Sequence, residues 1–228
     1  MKRRLCLGVA LLLSVTLFAA NPPQSRSGKA FFALQGGGVL NIYENAFSYS
    51  DNHKTMDLFT LQGGIAAGYE FSDVFALRAT ASYAKNAGAC NVRETSGGGF
   101  YPYTFKSINT FVDAVLNLPG LVGKVSAFRP RLYAGLGYAH TFYFTDPQHP
   151  WQRLIDPNNV FGFRLGFLAE YGFSKHFGVY ADLCGEGYTD LYNGLMPTKE
   201  EQNSYYEGYG GFPLDLRGLL SIGVMVWF

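Results

Sequence analysis

The sequence predicts an all-β chain that closes into an eight-stranded antiparallel transmembrane β-barrel. Three observations support this fold. The final segment alternates apolar and polar residues and ends on the aromatic Phe228. Aromatic residues make up 17% of the 228 residues, whereas charged residues make up only 15%. After residue 20, no apolar run reaches the roughly 18 residues of a transmembrane helix, so a membrane protein of this composition would cross the bilayer as paired strands.

The first twenty residues have the features of a cleaved secretory signal. A basic start at Lys2, Arg3 and Arg4 precedes the apolar stretch Leu5–Phe18, and small residues follow it. We therefore expect a signal peptide at 1–20, a short periplasmic tail at 21–29 and the barrel at 30–228. Loss of the three basic residues moves the formal charge from +1 to about −2, which predicts no nucleic-acid partner.

Eight segments alternate apolar and polar side chains, and we predict one strand for each. They are Phe31–Tyr43, Asp57–Phe71, Phe75–Asn86, Thr104–Leu118, Phe128–Phe142, Val160–Phe173, Phe177–Asp190 and Leu214–Phe228. The connections alternate between short and long. In bacterial barrels the short turns are periplasmic and the long loops extracellular. This pattern predicts an outer-membrane protein with both mature termini in the periplasm.

The charged residues of these segments fall on one face. Side chains two positions apart in a strand share a face, and here the opposite face is rich in Phe and Leu. The arrangement predicts lipid outside and a polar interior, because an inverted soluble barrel would expose its apolar faces to water. The predicted lumen network has six acids and five arginines: Glu70, Arg78, Asp113, Arg129, Arg131, Arg164, Glu170, Asp182, Glu186, Asp215 and Arg217.

Aromatic residues cluster at the strand ends, as in the interfacial girdles of membrane barrels. The predicted periplasmic girdle contains Tyr69, Phe71, Phe75, Tyr171, Phe173, Phe177, Trp227 and Phe228. The predicted outer girdle contains Tyr43, Phe59, Tyr83, Phe142 and Phe161.

Two strand–turn–strand segments, Ala67–Leu77 and Glu170–Tyr180, are similar to each other. They resemble the repeats of the small outer-membrane barrels of the OmpA/OmpX-like (porin-family) superfamily, and the resemblance covers the whole mature chain. It implies fold and location rather than activity, because that fold serves several functions. No counterpart of the C-terminal peptidoglycan-binding domain of OmpA-type proteins follows Phe228, so wall anchoring is not implied.

The sequence gives little indication of catalysis. His140 is the only histidine on a predicted strand after the signal, and its i+2 neighbour is Phe142 rather than a serine. A histidine base needs a nucleophile within hydrogen-bond reach. We therefore predict no enzyme activity, no catalytic residues, no cofactor and no metal site. Cys90 and Cys184 fall on non-neighbouring strands, and their oxidation state stays open.

The predicted function is envelope structure and surface interaction through the loops, with a lumen filled by ion pairs. Three alternatives stay open: a narrow channel for small solutes or ions, an accessory subunit of an outer-membrane complex, and a lipid-modifying barrel enzyme. Expected partners are outer-membrane lipid and lipopolysaccharide, an extracellular or envelope protein, and the barrel-assembly machinery. That machinery would read the C-terminal signal Val224, Val226 and Phe228. We expect a monomer.

Overall fold

A computed structural model describes residues 25–42, 59–92, 99–143, 158–189 and 214–228. These residues form eight strands and one short helix. In chain order they are β1 (Lys29–Ile42), β2 (Phe59–Glu70), β3 (Phe75–Val92), β4 (Gly99–Asn117), α1 (Leu118–Leu121), β5 (Phe128–Tyr143), β6 (Asn158–Gly172), β7 (Phe177–Thr189) and β8 (Leu214–Trp227).

The strands form one closed antiparallel barrel, in which each strand pairs with the next along the chain. Pairing of β1 with β8 closes the cylinder, from Phe31 opposite Trp227 to Ile42 opposite Leu216. Closure leaves no open sheet edge in the barrel wall, as a bilayer requires, because backbone groups in lipid must be paired. The predicted fold class is confirmed.

Strands β3 and β4 are longer than the sequence predicts. Their pairing continues past Asn86 to Val92 opposite Gly99, through a segment that we expected to be a loop. Gly88, Ala89 and Pro102 are poor strand formers, which explains the prediction. The partner strand overrides these preferences, because extending an existing hairpin supplies the backbone hydrogen bonds that an isolated segment lacks.

The two tightest turns share one side-chain device. Ser72 Oγ accepts hydrogen bonds from the backbone N–H groups of Val74 and Phe75, at 3.2 and 3.0 Å. Ser174 Oγ does the same for His176 and Phe177, at 3.2 and 3.1 Å. A serine hydroxyl satisfies donors that a tight turn would otherwise leave unpaired. This shared geometry explains why the two strand–turn–strand segments look alike.

The barrel has an apolar exterior and a polar interior. Large apolar side chains on the outside are widely exposed, Leu61 to 76% and Ile222 to 71%. Charged and aromatic side chains fill the inside, with Tyr133, Tyr180 and Tyr188 among the most buried. The division follows the two-residue period of each strand. Within the described ranges, no helix is long and apolar enough to cross a membrane.

Trp227 corrects one prediction. The sequence predicts it in the lipid-facing periplasmic girdle, but its side chain is fully buried inside the barrel. Its neighbours at two-residue spacing, Met225 and Ser221 among them, also point inward, whereas Phe228 is 72% exposed. Strict alternation places adjacent residues on opposite faces, so Trp227 and Phe228 cannot both face lipid. Tyr43 of the predicted outer girdle lies outside the described residues.

Candidate functional site: the charge network of the lumen

The interior of the barrel holds a network of charged side chains. All eleven residues of the predicted lumen network are buried there. A twelfth, Arg26, precedes β1 and is only 4% exposed. Among the described residues, the buried charges are therefore six arginines and six carboxylates. Formal charge inside this part of the barrel is balanced, which lowers the high cost of removing each ion from water.

The layer nearest the short turns contains Arg26, Glu70, Arg131 and Glu170. Arg131 Nη2 donates to Glu70 Oε1 at 2.7 Å and lies 2.9 Å from Glu170 Oε2. Arg26, which precedes β1 and is not part of the barrel wall, contacts the same Glu170 carboxylate through its Nη1. The Arg129 backbone pairs with Glu170 in the β5–β6 register, and its side chain is also buried. Glu170 thus contacts both Arg131 of the barrel wall and Arg26 of the N-terminal segment, which is residues 25–28 before β1.

Arg26 is held by three further features of this layer. Its guanidinium carbon lies 3.2 Å from the centroid of the Trp227 ring, a cation–π arrangement. Gly172 leaves room for the guanidinium, because a Cβ there would overlap Arg26 Nη2. Next to it, Ser25 Oγ donates to both carboxylate oxygens of Asp73, at 2.9 and 2.8 Å. The N-terminal segment is therefore fixed across the short-turn end of the barrel.

Burial and the surrounding charges together lower the pKa of Arg26 to about 10. Removal from water is the largest cause, the Glu170 carboxylate raises the pKa, and the positive charges of Arg129 and Arg131 lower it further. The guanidinium thus stays protonated at neutral pH. Arg26 therefore brings a positive charge to this end of the lumen.

The middle layer centres on Asp113. Its carboxylate accepts from Arg78 Nε at 2.8 Å and from Arg164 Nε and Nη2 at 2.7 and 2.5 Å. Arg78 also donates to Asp182 Oδ2 at 3.1 Å, and the Tyr133 hydroxyl donates to Asp182 Oδ1 at 2.6 Å. Arginine suits this layer, because its planar fork can bridge two carboxylates.

Aromatic rings pack against the arginines of the middle layer. Arg78 lies 4.1 Å from the Tyr133 ring centroid, and Arg164 lies 4.4 Å from that of Phe111. Gly166 makes this packing possible, since a Cβ at that position would overlap the Tyr133 ring. The rings fill the space between ion pairs, so the described interior is packed at this level.

The layer nearest the long loops centres on Glu186. Arg217 Nε and Nη2 both lie 2.6 Å from Glu186 Oε2, and the Tyr188 hydroxyl donates to the same oxygen at 2.5 Å. Arg217 Nη1 donates to Asn86 Oδ1 at 3.1 Å. Arg164 Nη1 lies 3.6 Å from Glu186 Oε1 and joins this layer to the middle one. Ion pairs thus occur at three levels of the lumen, and the upper two levels are joined through Arg164.

Sequence reasoning missed several members of this network, Tyr133, Trp227 and Arg26 among them. Tyr133 and Trp227 could have been found by continuing the two-residue alternation from Arg131 and Met225. Arg26 carried no such signal, because it lies in the predicted tail before the first strand. Only the docking of that tail against Glu170 and Trp227 shows its place.

Two other predicted features are located by the structure. His140 lies on the outer face of β5, where its Nδ1 is 2.7 Å from Asn159 Oδ1. Cys184 is a free, buried thiol on β7, whereas Cys90 lies in the part of β3 whose side chains are not described. Within the described ranges, no group of three or more His, Cys, Asp or Glu residues could hold a metal ion. The absence of enzyme activity stays a prediction.

Comparisons with known proteins bear on the fold. No family model matches the chain, and no curated protein matches it. The solved structure of outer membrane protein OprG from Pseudomonas aeruginosa matches with a TM-score of 0.53 at 13% identity, covering 89% of this chain and 97% of that one. The chain has the fold of a small outer-membrane β-barrel. The resemblance predicted from the two turn segments is confirmed at this level.

Two further solved structures match with lower TM-scores. Neisserial surface protein A matches at 0.49 with 16% identity, covering 89% of this chain and 98% of that one. The N-terminal barrel domain of Pseudomonas aeruginosa OprF matches at 0.47 with 13% identity, covering 90% of this chain and 100% of that one. At such low identity a shared fold transfers no ligand or activity.

Proposed function

We propose that this chain is an outer-membrane barrel with a closed, ion-paired lumen, which serves envelope structure and acts on partners through its loops. The observation that carries the proposal is the balanced set of buried charges, six arginines against six carboxylates in the described residues. An eight-stranded barrel is only wide enough for side chains to fill it. Because side chains fill the lumen, we assign the function to the outer surface of the barrel and to its loops.

The location rests on physical grounds and on the shared fold. An exterior with Leu61 and Ile222 more than two-thirds exposed would be insoluble in water but suits acyl chains. In this setting the short turns face the periplasm and the long loops face outward. Membrane fractionation tests it: we expect the protein in the outer-membrane fraction, migrating faster on gels before boiling than after. Recovery from the soluble fraction would refute the proposal.

Planar-bilayer recording tests the closed lumen. We expect no reproducible conductance steps from the purified, folded protein, because the ion pairs of the three layers span the interior. Steady single-channel steps that change when Arg78 or Glu186 is replaced would instead support a channel.

To test the surface role, residues 195–210 are deleted. We expect the barrel to fold and to lose its partner in pull-down from intact cells, and full retention of the partner would contradict the role.

One observation favours a narrow channel as the second candidate. Arg26 lies across the short-turn end although it does not belong to a strand, so its displacement would remove its ion pair with Glu170 while Arg131 stays in place. A segment that can leave the lumen without breaking the barrel could act as a gate. The conductance of a variant at Arg26 separates this candidate from a permanently closed scaffold.

The C-terminal strand supports a proposal about assembly. Val224 lies on the outer face of β8, Phe228 is exposed directly after the strand, and Val226 shares their face by alternation. We propose that these three residues are read by the assembly machinery before the barrel closes. Replacing Phe228 by Ala should lower the yield of membrane-inserted protein while leaving refolding of the purified chain in detergent unchanged. Equal yields would count against the signal.

A further inference from the structure

Two lysines face each other on the outside of the barrel near the long loops. Lys85 on β3 lies directly opposite Lys106 on β4 in the strand register. Both lie on the outer face, because Tyr83 and Ile108, two residues away on each strand, are exposed to 45% and 46%. Cβ atoms of such a directly opposed pair are about 5 Å apart, and like charges placed directly opposite each other are destabilising. A phosphate, which has several acceptor oxygens, can accept hydrogen bonds from both ammonium groups.

The surroundings of the lysine pair are those of a membrane interface. Lys106 Nζ lies 5.8 Å from the Tyr83 ring centroid, and that ring is 6.2 Å from the ring of Phe142. The His140 ring lies tilted beside that of Phe142, with 5.8 Å between the ring centroids. Aromatic rings with polar groups mark the level of lipid headgroups. The lysine pair therefore lies where headgroup phosphates would lie.

A shallow apolar groove of about 670 Å³ runs along the same outer face, toward the middle of the barrel. Its floor is made of small side chains, Ala79 and Ala81 on β3 and Thr110 on β4, and its sides include Ile65, Leu136 and Phe161. Thr110 Oγ1 donates to the Tyr138 carbonyl at 3.1 Å, so its hydroxyl is satisfied within the protein. The groove thus offers an apolar surface against which an acyl chain could pack.

The groove and the lysine pair are aligned. Lys85 follows Ala81 by four residues on the same strand and face, which corresponds to about 13 Å along β3. A lipid with its phosphate at the lysines would therefore place its acyl chain along the groove. A free phosphate would occupy only the lysine pair, and a soluble protein would not enter the bilayer to reach the groove.

We propose that Lys85, Lys106 and the groove form a binding site for a phosphorylated outer-leaflet glycolipid of the lipid A type. One phosphate accepts hydrogen bonds from both ammonium groups, and one acyl chain packs along Ala79, Ala81 and Thr110. This inference rests on the proposed function, since it requires the long-loop end to lie in the outer leaflet. The glycolipid is chosen because that leaflet is where such lipids present their phosphates.

A charge-removal experiment tests the headgroup half of the site. Full-length protein is reconstituted in phosphatidylcholine nanodiscs with a few mole per cent of lipid A, and bound lipid A is counted by native mass spectrometry after transfer to mild detergent. We expect the double variant K85Q/K106Q to bind lipid A about tenfold more weakly, as loss of two partly exposed ion pairs implies. The control K124Q/K175Q removes two exposed lysines from the short-turn end. It should bind like the wild type.

Three outcomes would overturn the proposal. One is wild-type binding by K85Q/K106Q, and another is an equal loss in K124Q/K175Q, which would indicate attraction by net charge alone. The third is displacement of lipid A by an equimolar amount of phosphatidylglycerol, which would assign the site to a glycerophospholipid. All three results leave membrane fractionation and bilayer recording unchanged. Failure of this site can therefore be told apart from failure of the proposed function.

A groove-filling variant tests the acyl half. Phe at position 81 would occupy the groove without entering the packed interior, because Ala81 lies on the outer face. We expect A81F to weaken lipid A binding several-fold. The control A134F places the same side chain on an exposed position of β5 that does not line the groove, and it should bind normally. Equal binding by A81F and A134F would remove the groove from the site.

Discussion

The guanidinium of Arg26 stacks on the indole of Trp227, with 3.2 Å between the guanidinium carbon and the ring centroid. The contact joins the segment before β1 to the last residue of β8, across the short-turn end of the lumen. It also places Arg26 against Glu170, so one side chain completes both the charge balance and the packing at this end. The N-terminal segment is thus an integral part of the closed interior.

Replacing Arg26 by Gln should loosen this end of the barrel. The variant keeps a polar side chain but removes the cation from Glu170 and Trp227, and Glu170 retains Arg131. We expect a loss of about 1–3 kcal/mol in the free energy of unfolding, measured by urea titration in lipid vesicles. Brief conductance events in planar bilayers are also expected. The control S27A changes an exposed neighbour and should match the wild type in both measurements.

A stability and conductance profile of R26Q indistinguishable from that of S27A would show that the contact of Arg26 with the barrel has no energetic role. It would also remove the support for a gated channel.

Replacing Asp113 by Asn should be among the most damaging single changes in the lumen. Its carboxylate is fully buried and accepts from both Arg78 and Arg164, so the amide would leave two buried cations short of one negative charge. We expect about 3–5 kcal/mol of destabilisation in urea unfolding. The control D73N lies at a turn outside the lumen network and should cost less than about 1 kcal/mol.

A double-mutant cycle separates the Asp113–Arg164 pair from general damage. If the pair is coupled, D113N/R164Q should be more stable than the sum of the two single variants predicts, by at least about 1 kcal/mol. Strict additivity would mean that the two side chains act independently despite their contact.

Adding a methyl group at Gly166 should disturb the interior, whereas the same change at Gly185 should not. A Cβ at Gly166 would overlap the Tyr133 ring, which stacks on Arg78 and donates to Asp182. A Cβ at Gly185 would meet no atom within 4 Å. We expect G166A to lose about 1–3 kcal/mol and G185A to be neutral or slightly more stable. Equal unfolding midpoints for G166A and G185A would contradict the packed interior described here.

Fluorescence tests the inward orientation of Trp227. In a W151F background Trp227 is the single tryptophan of the chain. Because it points into the lumen, brominated lipid should quench it weakly. The matched variant W151F/W227F/F228W moves the indole to the exposed neighbouring position and should be quenched strongly. Strong quenching of Trp227 itself would contradict its inward orientation and show that its side chain faces lipid.

Much of this architecture could be predicted from the sequence, because lipid-facing and lumen-facing side chains alternate along each strand of a membrane barrel. The alternation of residues such as Arg164 and Glu170 with Phe163 and Leu165 specifies both the strand and the side that faces the lumen. Closure follows from the need to pair every backbone group in lipid. The number of strands and the inward charges of the strands therefore required no tertiary information, whereas the inward position of Arg26 did.

Which charges pair with which was decided only by the tertiary structure. Asp113 pairs with Arg164, which is 51 residues away in the sequence, and Arg26 pairs with Glu170, which is 144 residues away. No local sequence pattern encodes pairings at such separations. The same holds for the extension of β3 and β4, where a partner strand overrides weak propensities, and for the outward alignment of Lys85 with Lys106. Local periodicity depends on neighbours in the chain, whereas ion pairing and docking depend on barrel register, which is settled only when the cylinder closes.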